Sequence, residues 1–341
     1  MGAGAIGQWL AALLSFQAGK VTLLCRERQL AGLQEGGIRY IPPSATGDSK
    51  VVRCYHELAS ELTSLRGQRF GSVIATVKAF QVAELVEQFR VSGIEFDSFC
   101  TLQNGWSSDS LVLKAFPHSN VWVTTTTIAV AVEDGVILPA TGKGGVAAAQ
   151  AAGPSSAPPL WLTQLGLPFI VLEDWRSLKW SKMLLNMVCN ASCALLDWYP
   201  GQVVAHSGLF SFELQCLREA LKVARRLGIP LVDAPGYPVR RFAHACQLYP
   251  WLARRVLAPR IAKGRGSKAP SFLVDMRAGR GRTEVSYING AIAREARLHG
   301  IEAPCNENLA RLMEEVSAKP ELWERYRGKP ERLLKDLTPG F

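Results

Sequence analysis

Three glycines, Gly2, Gly4 and Gly7, open the chain in "MGAGAIGQWLAALLSF" and form the pattern G-x-G-x-x-G ahead of an apolar, helix-like run. No other stretch limits the fold as strongly. The first glycine of such a pattern makes a tight turn, the second lets backbone approach a pyrophosphate, and the third lets a helix pack closely on a sheet. The helix N-terminus, here Ala5 and Ile6, then points its amides at the phosphates. Alone the pattern is weak. Its context is stronger, because the helix leads through the turn "AGK" into "VTLLC" (Val21–Cys25), which reads as the second strand of a dinucleotide fold. Only Met1 stands where a strand normally precedes the glycines. The sequence therefore reads as a dinucleotide-binding sheet whose first strand is missing, with Met1 expected to be internal to a longer natural protein. Strands deprived of that partner would leave backbone groups unpaired, at about 1–3 kcal/mol each where buried.

An acidic residue usually ends the second strand and holds the ribose hydroxyls. This chain has Arg26 there, with Arg28 two positions on. A guanidinium at that point pairs with a 2′-phosphate, which favours NADPH over NADH. Glu27 adjoins it and keeps a ribose contact open.

With 341 residues and 37.2 kDa, the chain can hold two domains with separate cores. Hydrophobic residues at 48% and charged residues at 20% exclude a disordered chain. The eight cysteines show no CxxC and no metal-ligand spacing, so no metal is expected, and a reducing compartment is the simple reading. A net charge of +10 favours anionic partners. The basic residues form no single block, however, and no zinc-finger, RNP or basic-region pattern accompanies them, so nucleic acid is not the expected partner. The N-terminus lacks the charged region of a signal peptide, Ile6 replaces the Ser or Thr of a myristoylation signal, and no run reaches a membrane span. A cytoplasmic protein is expected, and a homodimer is compatible with the sequence.

Strand-like and helix-like segments alternate in the first half: "VTLLC", "SVIATV", "FDSFCTL" and "NVWVTTTTIAV", with helical stretches such as "QVAELVEQF" between them. Crossover connections and a parallel sheet follow. "IRYIPPSATGDSKVVRCYHE" reads as an inserted excursion, and Gly135–Pro159 as a terminal hairpin plus a loose Gly/Ala/Ser/Pro connection. Beyond about residue 173 the pattern is helical. "FSFELQCLREALKVARRLG" and "EVSYINGAIAREARLHG" carry apolar residues at spacings of three and four, and each ends on glycine. The expected fold is an α/β domain over residues 1–168 and an all-α domain over residues 169–341.

Within "LKWSKMLLNMVCNASCALL", Lys182, Asn186 and Asn190 lie four apart and form one polar stripe on a helix, while Trp180, Leu184, Met187 and Ala191 form another, apolar one. An ordinary solvated stripe carries Glu, Lys and Arg. One lysine with two amides in apolar surroundings suits a closed pocket.

"GAGAIG", "TVKAFQ", "LQNGW", "WSKMLLNMVCN" and "RTEVSYINGAI" follow one another as in the ketopantoate reductase family, which the chain resembles from Gly2 to about Val316. The resemblance implies a Rossmann-type NADP(H)-binding domain, a helical domain like that of 6-phosphogluconate dehydrogenase, and reduction of 2-dehydropantoate to (R)-pantoate on the route to pantothenate and coenzyme A. It implies that Lys182 is the catalytic lysine, which stabilises or protonates the ketone oxygen as hydride arrives. Asn186 and Asn190 would contact the substrate, Lys78 the cofactor's ribose and nicotinamide, and Asn104 both cofactor and substrate. Glu284 would bind a substrate hydroxyl and adjoin the cofactor, and Ser271 would take the substrate carboxylate.

Three departures from the family pattern bear on this reading: the absent first strand, an interval from Ser271 to Glu284 one residue longer than usual, and the alanine-rich "GKGGVAAAQAAGPSSAPP", read as an altered rim of the substrate site. They leave two alternatives, a reductase of another branched 2-oxo acid and a non-catalytic NADP-binding or redox-sensing protein.

Overall fold

Short apolar runs bounded by glycine and polar turns become strands, and the longer amphipathic runs between them become helices. The computed structural model describes residues 2–15, 20–42, 50–52, 57–140, 144–265 and 268–338. It divides into two units: Met1–Gln103, Ser107–Lys179 and Ala234–Tyr237 form the first, and Asn104–Trp106, Trp180–Asp233 and Pro238–Phe341 the second.

The strands of the first unit are β1 (Thr22–Leu24), β2 (Ile38–Tyr40), β3 (Lys50–Val52), β4 (Glu57–Ala59), β5 (Arg69–Ala75), β6 (Glu95–Thr101), β7 (Asn120–Thr126), β8 (Val130–Glu133), β9 (Val136–Pro139), β10 (Val146–Ala152) and β11 (Phe169–Leu172). One sheet runs β11-β10-β7-β6-β5, with β5, β6 and β7 mutually parallel and β10 antiparallel to β7. β1 pairs in parallel with β4 as a separate two-stranded sheet. The excursion expected after β1 supplies β2 and β3 of a third sheet, β3-β2-β9-β8, and its turn lies outside the described residues, as does Cys54.

In a dinucleotide-binding fold the strand order is 3-2-1-4-5-6. Here β4-β1 supplies positions 3-2, and β5-β6-β7 supplies 4-5-6. Among the described residues no strand fills the central position. A cavity of about 570 Å³ lies there, lined by Leu10 and Leu14 of the helix Ala5–Ser15, Leu23 of β1, and Val73 and Ile74 of β5. Gly2 bridges the ends of the two flanking strands: its N–H donates to Leu24 O (3.1 Å) and its carbonyl accepts from Thr76 Oγ1 (2.8 Å).

Three expectations are corrected. Within the alanine-rich stretch, Val146–Ala152 is not a loose connection but a strand inside the main sheet, hydrogen-bonded on both sides and with Val146–Ala149 buried. Alanine is a poor strand former, yet between two covered faces its small side chain lets Leu178 pack on one side and the Trp161–Leu162 cluster on the other. "NVWVTTTTIAV" is not one strand but two, in different sheets, broken after Thr126, where the Thr126 and Thr127 hydroxyls turn to Gly145 O (3.3 Å each). The lysine–asparagine stripe is not on one helix: Trp175–Met187 ends, Cys189 takes φ +56°, and Asn190–Leu196 begins anew. Buried Glu213 supports that break by accepting from Cys189 N (2.8 Å) and Ser192 Oγ (2.5 Å).

The second unit is helical. Its longest helix, Ser207–Arg226, buries Leu214, Leu217, Leu221 and Val223, as the spacing predicts, and Gly228 follows at φ +64°. "EVSYINGAIAREARL" contains a short 3-10 turn, Val285–Tyr287, before the helix Asn289–Leu298. Among the described residues no helix is long and apolar enough to cross a membrane.

Candidate active site

In the first unit, the turn ahead of the helix Ala5–Ser15 is shaped by exclusion. A Cβ on Gly7 would lie 1.9 Å from Gly2 O, so only glycine lets the helix start this close to the turn. Gly4 is the opposite case, exposed and with no atom within 4 Å of where its Cβ would stand. The amide side chains of Gln8 and Gln29 both donate to Ala3 O (2.9 and 3.0 Å), which fixes the turn. Ala5 and Ile6 form the first helical turn, half-buried. The open space at Gly4, in front of a helix N-terminus, suits a phosphate-bearing cofactor approaching the backbone. Arg26, exposed, heads the helix Glu27–Gly36 just past β1, and its N–H donates to Gln29 Oε1 (3.3 Å). Lys78 follows β5 at the head of the 3-10 turn Ala79–Gln81, and its N–H donates to Gln81 Oε1 (3.2 Å).

In the second unit, hydrogen bonds join four candidate residues. Asn186 Nδ2 donates to Asn104 Oδ1 (2.9 Å). Asn190 Nδ2 donates to Asn186 O (3.1 Å) and to Ser271 Oγ (3.2 Å), while its Oδ1 accepts from Phe272 N (3.1 Å) at the start of the helix Ser271–Arg277. The helix break at Cys189 thus leaves the two asparagines in register. Lys182, half-buried, stands one turn before Asn186 on the same helix. Glu284 is buried at the head of the Val285–Tyr287 turn. That turn also holds Asn104 in place: Trp106 N donates to Tyr287 O (2.7 Å), and Gly105, at φ +83°, would put a Cβ 2.2 Å from the same oxygen. Trp106 is locked further by its Nε1–H to Glu295 Oε1 (2.9 Å) and by the edge of Trp180, 5.1 Å between ring centroids.

Gly2, Gly4, Ala5, Ile6, Gly7, Arg26 and Lys78 therefore lie in the first unit, and Asn104, Lys182, Asn186, Asn190, Ser271 and Glu284 in the second. A feature without any local sequence signal joins Lys179, Asp109, Thr101 and Gln103 in the first unit: Lys179 Nζ donates to Gln103 O (2.5 Å) and lies 3.0 Å from Asp109 Oδ2. Burial pushes Cys100 and Cys246 up to about 12, so both stay protonated at neutral pH. Among the described residues no group of His, Cys, Asp and Glu could hold a metal ion.

Residues 1–153 match the family model described as ketopantoate reductase PanE/ApbA, and residues 174–317 match that of its C-terminal domain. The 2-dehydropantoate 2-reductase of Halobacterium salinarum is 28% identical over 320 residues, covering 92% of this chain and 96% of that protein. The enzyme of the same description from Archaeoglobus fulgidus is 24% identical over 322 residues, covering 93% and 97%. Among solved structures, a PanE/ApbA family ketopantoate reductase from Ralstonia eutropha aligns with a TM-score of 0.75 at 21% identity, over 94% of this chain and 98% of that one. D-mandelate dehydrogenase, solved with NADH and anilino(oxo)acetate, aligns with the same TM-score at 20% identity, over 93% and 96%. At such identities the structural likeness speaks to the fold.

Proposed function

The chain belongs to the ketopantoate reductase family, and from that premise we propose that it reduces 2-dehydropantoate to (R)-pantoate with NADPH. Membership makes it an oxidoreductase of the pyridine-nucleotide kind. The observation that carries the finer reading is the hydrogen-bonded series Asn104–Asn186–Asn190–Ser271 with Lys182 one turn away. Its polar groups are held by one another, as a site that must orient a small polar substrate requires.

The glycine turn and the helix N-terminus behind it would hold the pyrophosphate, Arg26 would pair with the 2′-phosphate, and Lys78 would contact the ribose and nicotinamide. When bound, the cofactor supplies a hydride to C2 of the substrate. As the carbonyl electron pair moves onto oxygen, the Lys182 ammonium stabilises the charge where it develops and transfers its proton, so a 2-hydroxy acid leaves. Lysine then recovers a proton from water. The Asn186 and Asn190 amides orient the reacting end, Asn104 adjoins cofactor and substrate, Ser271 Oγ–H donates to the carboxylate, and the Glu284 carboxylate accepts from the substrate's far hydroxyl. That last contact would distinguish 2-dehydropantoate from 2-oxo acids without the hydroxyl, which have nothing to donate to Glu284.

The test is a substrate panel with purified protein and NADPH: 2-dehydropantoate, 2-oxoisovalerate and phenylglyoxylate. The highest kcat/KM is expected for 2-dehydropantoate, and Glu284→Gln should narrow the gap. A preference for phenylglyoxylate would move the assignment to an aryl 2-oxo acid, and NADPH binding without turnover of any acid would leave a binding protein.

A further inference from the structure

In the first unit, the ammonium of Lys179 is buried at a point where the proposed chemistry has no use for it. Lys179 is 2% exposed and Asp109 fully buried. The ammonium donates to Gln103 O (2.5 Å) and lies 3.0 Å from Asp109 Oδ2, whose other oxygen accepts from Thr101 Oγ1 (2.6 Å). Thr101 O accepts in turn from Thr124 Oγ1 (2.6 Å) on the neighbouring strand β7. The Gln103 side chain reaches the other way, its Nε2 donating to Ala75 O (2.8 Å) and Val77 O (3.3 Å) at the end of β5.

This cluster grips two peptide units. The unit that carries Gln103 O also carries the N–H of Asn104, and the unit that carries Val77 O also carries the N–H of Lys78. We propose that Lys179, Asp109 and Gln103 are positioning residues that fix the backbone from which Lys78 and Asn104 project; the proposal rests on the function assigned above to those two side chains. Stability alone does not account for the pair. Taking two charges out of water is costly, and well-packed apolar residues of similar volume commonly stabilise a core as well or better. An apolar pair lacks a donor to hold the Gln103 carbonyl in one orientation, and that is what the ammonium provides.

The test compares the parent protein with Lys179→Met/Asp109→Leu, which removes both charges together so that neither is left buried and unpaired. The measurements are Tm, amide hydrogen exchange by mass spectrometry, and steady-state kcat and KM with NADPH and 2-dehydropantoate. The double variant is expected to keep the parent Tm. Exchange should speed up on the order of tenfold in residues 76–80 and 102–105 and stay unchanged elsewhere. kcat/KM should fall on the order of tenfold to a hundredfold, as misplacement of reacting groups does. Parent-like exchange and turnover would overturn the proposal, and so would a rise in exchange spread over the whole sheet.

If the double variant does not fold, Gln103→Met decides, since it keeps the ion pair and removes only the tie to β5. Faster exchange confined to residues 76–80 supports the proposal, and parent-like exchange there overturns it. Exchange needs no substrate. A parent protein inactive on 2-dehydropantoate would therefore count against the assigned function and leave the positioning question to be decided by exchange.

Discussion

The glycine turn at Gly2–Gly7 and the amide series Asn104–Asn186–Asn190–Ser271, the two regions to which cofactor and substrate binding are assigned in the proposed function, are shaped by opposite means. The turn works by leaving atoms out: at Gly7 a single methyl would meet a carbonyl at 1.9 Å, and at Gly4 the space stays open. The amide series works by mutual satisfaction, each polar group held by the next. The surroundings differ as well. Behind the turn, between β1 and β5, lies a cavity of about 570 Å³, whereas Asn190 is buried and bonded at both ends of its amide. A site built by exclusion breaks by collision or by weak support. A site built by hydrogen bonding breaks when one partner is orphaned.

The largest expected effect lies on the amide side. Lys182→Ala should lower kcat about 10²–10⁴-fold, the usual worth of a positioned proton donor, while the Kd for NADPH measured by fluorescence titration stays at the parent value. An equal loss of NADPH affinity would mean that the two regions do not act separately.

On the glycine side, Gly7→Ala should cost about 1–3 kcal/mol of stability through the enforced clash and weaken NADPH binding, whereas Gly4→Ala should weaken NADPH binding at unchanged Tm. Calorimetry beside the titration distinguishes the two. If Gly4→Ala bound NADPH normally, the open space there would not be the phosphate approach.

The cavity offers a way to remove the contrast. An apolar, β-branched strand of about five residues fused ahead of Gly2 should enter the slot parallel to β1 and β5, because Gly2 is tied to the C-terminal ends of both. A higher Tm and tighter NADPH binding are expected. An unchanged Tm would show that the slot does not accept a strand.

Arg26→Ala should raise the Kd for NADPH about tenfold and leave that for NADH nearly unchanged, the loss of one charge-assisted contact. Equal effects on both cofactors would remove the argument for a 2′-phosphate partner.

The smallest effect concerns acid stability of the second unit. Burial raises the Asp197 carboxyl, but hydrogen bonds from Arg327 and Arg277 outweigh it and hold the group below the ordinary carboxylate range. A lowered folded-state pKa stabilises above the unfolded value of about 3.9 and is lost as pH falls through the folded value. Asp197→Asn should therefore lower Tm at neutral pH, with the difference from the parent shrinking below about pH 4.

Much of this was legible in the sequence because the physics was local. The glycine spacing, the apolar periods of the Ser207–Arg226 helix and the order of strand and helix all depend on near neighbours. What was not legible depended on distant partners. Val146–Ala152 looks like a linker because alanine carries no strand signal, and only the two flanking strands make it one. The break at Cys189 interrupts an unbroken helical period, and its support, Glu213, comes from another helix. Lys179 and Asp109 are ordinary residues in their own segments and become a buried pair only when the chain folds.

In the proposed function this chain moves hydride from NADPH to the ketone carbon of 2-dehydropantoate. The direct measurement is product analysis with NADPH deuterated at the transferable position, by chiral chromatography and mass spectrometry. The expected product is (R)-pantoate carrying one deuterium at C2, absent with Lys182→Ala. Folded, NADPH-bound protein that yields no pantoate, or pantoate without deuterium, would contradict the claim.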